Sequence, residues 1–125
     1  MHVLRNMVGA VKQGGVVLDL QVIRPNPLVE VDSRILCEID GSPLFRLADA
    51  ADAAVNSFVA AGRLLGEKVD DHDVLKHYAN GADLVGDFAD KERRISEQAV
   101  ARVRRVNGPC VTRERCRLRR LARLL

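Results

Sequence analysis

The chain has 125 residues and a mass of 13.8 kDa, which is the length of one small domain and leaves little chain for a large cofactor site. Hydrophobic residues make up 47% and charged residues 30%, a globular balance that excludes a wholly disordered chain. The net charge is +3.

The first third of the chain predicts a helix, a strand and a hairpin. Apolar residues at helical spacing predict an amphipathic helix over residues 2–13, which two glycines end. Residues 16–24 are β-branched and almost continuously apolar, which is typical of a strand buried on both faces of a sheet. Residues 28–32 and 35–40 alternate apolar and polar side chains across a short link, which predicts a β-hairpin. One face of that hairpin would carry Val29, Val31, Ile35, Cys37 and Ile39.

The rest of the chain alternates helices with strands. An Ala-rich helix is predicted over residues 47–65, and a short strand over 74–78 follows an acidic loop. Two helices follow, one over residues 82–90 and one from the Ser96 cap to Val106. Helices that alternate with strands favour an α/β sheet with helical cover.

The last segment alternates apolar residues with arginines from Cys110 onward. This pattern predicts a strand with one apolar face and one face of solvated arginines. A helix through Leu118, Leu121 and Leu125 is the competing prediction.

The charge is divided unequally along the chain. Residues 1–90 carry 8 Lys or Arg and 14 Asp or Glu, a net of −6, whereas residues 91–125 carry 12 and 3, a net of +9. Such a split indicates a nucleic-acid, membrane-surface or acidic partner, or else basic C-terminal elements that lie against the acidic remainder of the same chain. We favour the second interpretation. The arginine segment contains no aromatic residue, Asn or Gln, so a nucleic acid would be held by its phosphates and its bases would not be recognised.

The densest group of candidate acid–base or metal-binding residues lies between positions 70 and 77. His72 and His77 are five residues apart, which directs them to opposite faces of a strand and about 140° apart on a helix. A solvated acidic loop is therefore favoured over a metal site. Nucleophile elbows, zinc-binding helices and phosphate-binding loops are absent from the sequence, so no catalytic, cofactor-binding or metal-binding residue is assigned. The group consists of Asp70, Asp71, His72, Asp73 and His77.

The sequence favours a cytoplasmic protein. No run approaches the roughly 20 apolar residues that a membrane span needs, and the N-terminus lacks the apolar core of a signal peptide. The cysteines are odd in number and form no C-x-x-C pair, which is typical of reduced thiols in the cytosol. They are Cys37, Cys110 and Cys116.

The run VLRNMVGAVKQGGVVLDLQV resembles a segment of class I S-adenosylmethionine-dependent methyltransferases. In that family a helix ends in a two-glycine turn, which leads into the fifth strand of the sheet. Here the helix would be residues 2–13, the turn 12–15 and the strand 16–23. The family continues with an insertion, an Ala-rich helix and an antiparallel pair of final strands. ADAADAAVNSFVAAGRL matches that helix, and CVTRERCRLRRL matches the last strand.

The resemblance implies the C-terminal half of such a methyltransferase. The expected fold is α/β, with a partial Rossmann-like sheet, in a single subdomain over residues 1–125. It has a hairpin insertion at 24–46 and a basic last strand or tail at 110–125. The family binds S-adenosylmethionine through a Gly-rich loop and an acidic residue that would both lie before Met1, so no cofactor contact transfers to this chain. The chain is thus expected to be methyltransferase-like but inactive alone, from a reading frame that is either complete or truncated. The alternative is a small basic-tailed module that binds nucleic acid or an acidic protein.

The same resemblance predicts an unpaired sheet edge. In the parent fold, residues 16–23 form a central strand with a neighbour that would come from the missing half. An unpaired apolar strand is a template for association. We therefore expect self-association or pairing with another chain.

Overall fold

The computed structural model describes residues 12–89 and 94–124. Within these residues the fold is mixed α/β, as predicted, and no helix is long and apolar enough to cross a membrane. The predicted helix over residues 2–13 lies almost wholly outside the described residues. The elements in chain order are β1 (Val16–Val22), β2 (Leu28–Val31), β3 (Arg34–Glu38), α1 (Ser42–Ala60), β4 (Leu64–Tyr78), α2 (Gly81–Phe88), α3 (Glu97–Arg104) and β5 (Cys110–Arg123).

The five strands form one antiparallel sheet in the order β1-β5-β2-β3, with β4 also paired to β5. β1 runs from Val16 opposite Ala122 to Val22 opposite Cys116, and β2 places Leu28 opposite Arg113. Arg117 of β5 meets Asp71 of β4 and Arg120 meets Glu67, so the numbering rises on one strand as it falls on the other. β5 is therefore antiparallel to each strand it pairs with.

The described chain divides into two compact units. The first contains residues up to 22, 46–72 and 116–124, and the second contains 23–45, 73–89 and 94–115. Each unit has its own core. The core of the first is built from Val17, Val55, Leu64 and Leu121, and that of the second from Val29, Ile39, Tyr78, Leu84, Phe88, Val103 and Cys110.

In the first unit, α1 packs on one face of the sheet. Val17 and Leu121 are cross-strand neighbours on that face, and Val55 of α1 covers them. The neighbouring side chains of β1 point the other way, where Leu18 is 56% and Leu20 is 57% exposed. The prediction that this strand is buried on both faces is therefore wrong for the described chain, since α1 covers only one face.

Helix α1 ends earlier than the predicted position 65. Gly62 has φ +73°, and the N–H of Arg63 donates to Phe58 O at 3.0 Å, which closes the helix in a Schellman motif. The helix also begins earlier than predicted. Asp40 Oδ1 accepts from the backbone N–H of Ser42 at 3.0 Å, and Pro43 is tolerated in the first turn because no intrahelical donor is needed there.

In the second unit, β2 and β3 form the predicted hairpin. Asp32 and Ser33 have φ +51° and +64°, the positive values that a two-residue turn of the I′ type requires. The register shifts at Val29/Glu30, so that Glu30 pairs with Ile35 and Val29 pairs with Cys37. The prediction that Ile35 shares the inward face is wrong: it is 64% exposed, because the shift leaves Leu36 to pack against the core instead.

Two capped helices complete the second unit. Asn80 caps α2 by accepting from the N–H of Asp83, and Ser96 caps α3 by accepting from the N–H of Ala99, as its sequence predicts. Both helices end before their predicted limits of 90 and 106. Gly81 of α2 lies so close to Val103 of α3 that an added Cβ would stand 1.7 Å from Val103 O.

The observed limits of strands β4 and β5 differ from two of the predictions. Residues 70–73 are part of β4, which is 15 residues long, and do not form the predicted acidic loop. β5 remains a strand to Arg123, which excludes the competing C-terminal helix through Leu118 and Leu121. Backbone pairing with β1 over residues 116–122 and with β2 over 111–113 keeps β5 extended, and arginines of β5 bind Asp71 and Asp73 of β4.

Candidate functional site

In the second unit, the Arg113 guanidinium lies between two carboxylates. Its Nε donates to Glu30 Oε2 at 2.6 Å, and a terminal nitrogen donates to Asp73 Oδ2 at 3.0 Å. Arg115 donates to the other oxygen of Asp73 at 3.2 Å. Because Glu30 belongs to β2 and Asp73 to β4, this cluster connects β5 with two neighbouring strands.

In the first unit, arginines of β5 also bind carboxylates of β4. Arg117 binds Asp71 with two hydrogen bonds of 2.8 and 3.0 Å, a fork that matches the carboxylate geometry. Arg120 donates to Glu67 at 3.1 Å. Arg119 contacts α1 instead. Its terminal nitrogen lies 3.6 Å from Asp52 Oδ1 and donates to Asn56 Oδ1 at 3.5 Å.

These contacts bear on the charge asymmetry between residues 1–90 and 91–125. Five arginines of the basic strand contact acidic or amide side chains of the same chain. The interpretation that basic C-terminal elements lie against the acidic remainder is confirmed. The predicted face of solvated arginines is only partly solvated, because the four alternating arginines from Arg113 to Arg119 are half-buried.

The ion pairs shift the protonation equilibria of their members. Hydrogen bonds from Arg113 and Arg115 hold the pKa of Asp73 below its ordinary value. The bonds to Glu30 and Asp73 raise the pKa of Arg113, and the bond to Asp71 raises that of Arg117. Asp73 thus contributes stability that is present above its unfolded pKa and is lost as the pH falls through its lowered folded pKa.

The paired arginines predict weak contact with nucleic acid. Phosphates would have to displace Asp71, Asp73 and Glu30, so we expect no binding of single-stranded DNA or RNA at physiological salt by fluorescence anisotropy. Exchange of Arg113, Arg115, Arg117 and Arg119 for Ala should lower the melting temperature instead. Salt-dependent binding that these exchanges abolish would support a nucleic-acid module.

The predicted His and Asp cluster lies along β4 but does not converge on one point. Asp71 and Asp73 bind arginines of β5, and His72 Nδ1 lies 3.4 Å from Asp70 Oδ2. Among residues 12–89 and 94–124, no three or more His, Cys, Asp or Glu side chains are arranged to hold a metal ion. Two of its members, Asp71 and Asp73, connect β4 to β5.

The second unit contains a polar contact that the sequence did not indicate. The hydroxyl of Tyr78 donates to Asp87 Oδ2 at 2.5 Å, and Lys76 Nζ donates to the same oxygen at 2.8 Å. Tyr78 also packs edge-on against Phe88. The residue therefore packs beneath α2 and connects the end of β4 to that helix.

Burial, reinforced by the hydrogen bond and negative charge of Asp87, raises the pKa of Tyr78 to about 12. This is the single tyrosine of the chain, so ultraviolet absorbance of tyrosinate reports it alone. We expect a midpoint near pH 12 in the folded protein and near the ordinary value of about 10 in urea. The associated stability is complete below about pH 10 and is lost as the pH rises toward 12.

The Asp87→Asn variant is the control for this titration. It keeps the burial of Tyr78 but removes the charge, so its midpoint should lie between those of the native and unfolded protein. A native midpoint near 10, measured while circular dichroism remains native, would show that the hydroxyl is not held as described.

The three thiols and two of the cavities of the described residues are further candidates for a reaction centre. None of the three cysteines forms a disulfide, as predicted, and burial raises the pKa values of Cys37 and Cys110 above their ordinary range. A cavity of about 490 Å³ in the second unit is lined by apolar side chains with Arg94 and Arg104, and the residues that line it include no acid or nucleophile. A cavity of about 190 Å³ in the first unit adjoins Leu18.

No family model matches the chain, and no curated protein or solved structure matches it either.

Proposed function

We propose that this chain is the C-terminal part of a class I S-adenosylmethionine-dependent methyltransferase domain. It contributes the last strands of the sheet and no cofactor contact. The observation that carries the proposal is the order of elements in the first unit, where β1 is followed along the chain by α1 and then by the antiparallel pair β4 and β5.

Local geometry supports the match to the two-glycine turn. Gly14 has φ +80°, a value that favours glycine, and the N–H of Gly15 donates to Lys12 O at 2.7 Å. β1 begins at the next residue, Val16. A tight turn therefore feeds the strand where the resemblance requires one.

The direction of the strands also supports the proposal. β1 and β4 are each antiparallel to β5, so they run parallel to one another, and α1 lies between them in the chain. Parallel strands joined through a helix are the unit from which Rossmann-like sheets are built. The proposal of a Rossmann-like sheet is confined to β1, α1 and β4, because every direct pairing is antiparallel.

The cavity beside β1 supports the proposal that this strand holds no S-adenosylmethionine. The cavity beside β1 holds about 190 Å³, below the range of roughly 300–1,000 Å³ that is usual for small-molecule sites. Leu18, Leu118, Lys68, Asp70 and Arg120 line it, and none belongs to a glycine-rich loop between a strand and a helix. We therefore assign the chain a structural contribution to such a domain and no step of methyl transfer.

The experiment is to read the DNA upstream of Met1 in frame. We expect an open frame that encodes an acidic-x-Gly-x-Gly motif after an apolar strand. The matched biochemical measurement is thermal stability with S-adenosylmethionine, which should not change for the 125-residue chain alone. A closed upstream frame would rule out the proposal for this gene.

A further inference from the structure

The outer edge of β1 is the least protected strand edge of the sheet. β1 pairs with β5 on one side, and no described strand pairs with its other side. Its sequence, VVLDLQV, contains one charged residue, whereas β4 alternates many charges and β3 has a charge at each end. Charges on edge strands prevent pairing with other chains, so β1 lacks the protection that β3 and β4 have.

The exposed face of β1 is also apolar. Leu18 and Leu20 point away from α1, and Leu20 lies opposite Leu118 of β5. A neighbouring strand placed at the open edge would set its own side chains beside both leucines on this face. Main-chain hydrogen bonds along the edge and apolar contact on this face would act together.

We propose that two copies of the chain pair antiparallel through β1 about a twofold axis at Leu20. The alternation of residues in β1 selects this position. An axis at Leu20 places Leu20 opposite Leu20 of the second copy and Leu18 opposite its Val22, which makes the exposed face continuously apolar. On the other face it places Asp19 opposite Gln21 of the second copy, so that each carboxylate faces an amide donor.

Neighbouring registers lack this complementarity. An axis at Asp19 brings two carboxylates into direct opposition, which is destabilising. Asp19 already accepts a hydrogen bond from Gln21 of its own chain at 2.8 Å. An axis at Leu18 places Asp19 opposite Val17, and an axis at Gln21 places it opposite Ile23, so neither register adds a polar partner from the second copy. Self-complementarity about one axis is the requirement for a closed dimer.

The inference concerns the 125-residue chain and does not depend on the proposed methyltransferase relationship. In a longer product whose own strand takes this edge, the same surface is closed from within the chain. The two proposals are therefore tested by different measurements. The β1 dimer is tested by the oligomeric state, and the methyltransferase relationship by cofactor binding.

Sedimentation velocity over a concentration series tests the dimer. We expect the chain to be dimeric and Leu20→Lys to be monomeric, because the axis sets two lysines against each other. Leu65→Lys is the matched control, an exposed leucine of β4, and should leave the dimer unchanged. A native chain that stays monomeric at all concentrations, or equal behaviour of the two variants, overturns the proposal.

Substitutions at Gln21 test the charge complementarity. Gln21→Glu places a second carboxylate opposite Asp19 at two symmetric positions, so the dimer dissociation constant should rise about tenfold or more. Gln21→Lys should lower it. The opposite order of the two dissociation constants contradicts the register, and circular dichroism of each variant checks that it is folded.

Disulfide cross-linking tests the axis directly. Leu20→Cys places two thiols opposite each other and should form a covalent dimer under mild oxidation. The two thiols of Leu18→Cys would be about 13 Å apart and should not cross-link. Both variants are made with Cys37→Ser, since Cys37 is the partly exposed native thiol. Cross-linking of Leu18→Cys alone, or of neither variant, refutes an axis at Leu20.

Discussion

Replacement of Gly81 by alanine is expected to destabilise the protein by about 3 kcal/mol. The new Cβ would lie 1.7 Å from Val103 O and 2.6 Å from the Val103 carbonyl carbon. These atoms are backbone, so a side-chain rotation cannot relieve the overlap, and α2 must move away from α3. That movement would open the core of the second unit around Leu84 and Val103, which are fully buried.

Gly86→Ala is the matched control in the same helix. No atom lies within 4 Å of the position of its Cβ, so the exchange should stabilise α2 by up to about 1 kcal/mol through helix propensity. Urea unfolding followed by the fluorescence of Tyr78, which lies in the same core, measures both variants. Similar effects of the two substitutions would show that α2 and α3 are not in the described contact.

The second large effect is expected for Leu64→Ala. Leu64 is the first residue of β4, is 1% exposed and packs with Val17, Val55 and Leu121 in the core of the first unit. Its truncation removes buried methyl groups and leaves a cavity, at a cost of about 3 kcal/mol.

Its neighbour, Leu65, provides the control because it is 50% exposed. Leu65→Ala should cost less than about 1 kcal/mol. Urea unfolding followed by circular dichroism compares the two. If Leu65→Ala proves the more damaging change, the inward face of β4 has been assigned to the wrong residues.

Local sequence signals predicted the existence of most elements more reliably than their limits. The Ser96 N-cap acts through neighbouring atoms, so its effect can be read from a short window. The hairpin was predicted for the same reason, and the structure places its turn at Asp32-Ser33. The end of α1 was misplaced because Gly62 and Gly66 are both candidate terminators. Only the hydrogen bond from Arg63 to Phe58 identifies Gly62 as the one that acts.

Features that depend on distant residues could not be predicted in this way. Residues 70–73 have the composition of a loop, yet they lie in a strand, where Asp71 and Asp73 bind arginines 40 or more positions later. The exposure of Ile35 follows from a register shift that the alternation of β3 does not reveal.

In the candidate site, too, the sequence predicted the general contact but could not predict the individual partners. The opposite net charges of residues 1–90 and 91–125 predicted that the basic strand meets the acidic part of the chain. They could not identify Glu30, Asp52 or Asp71 as the partners, because the choice depends on strand register and on the position of α1. The contact of Tyr78 with Asp87 had no sequence signal for a similar reason.

Calorimetric titration with S-adenosylmethionine tests the proposed relationship most directly. It compares the 125-residue chain with the product of the upstream in-frame codons joined to it. We predict that the longer product binds one equivalent of cofactor and that the chain alone binds none. Absence of binding by the longer product, or binding by the 125 residues alone, would contradict the proposal that β1, α1, β4 and β5 complete the sheet of such a domain without contacting its cofactor.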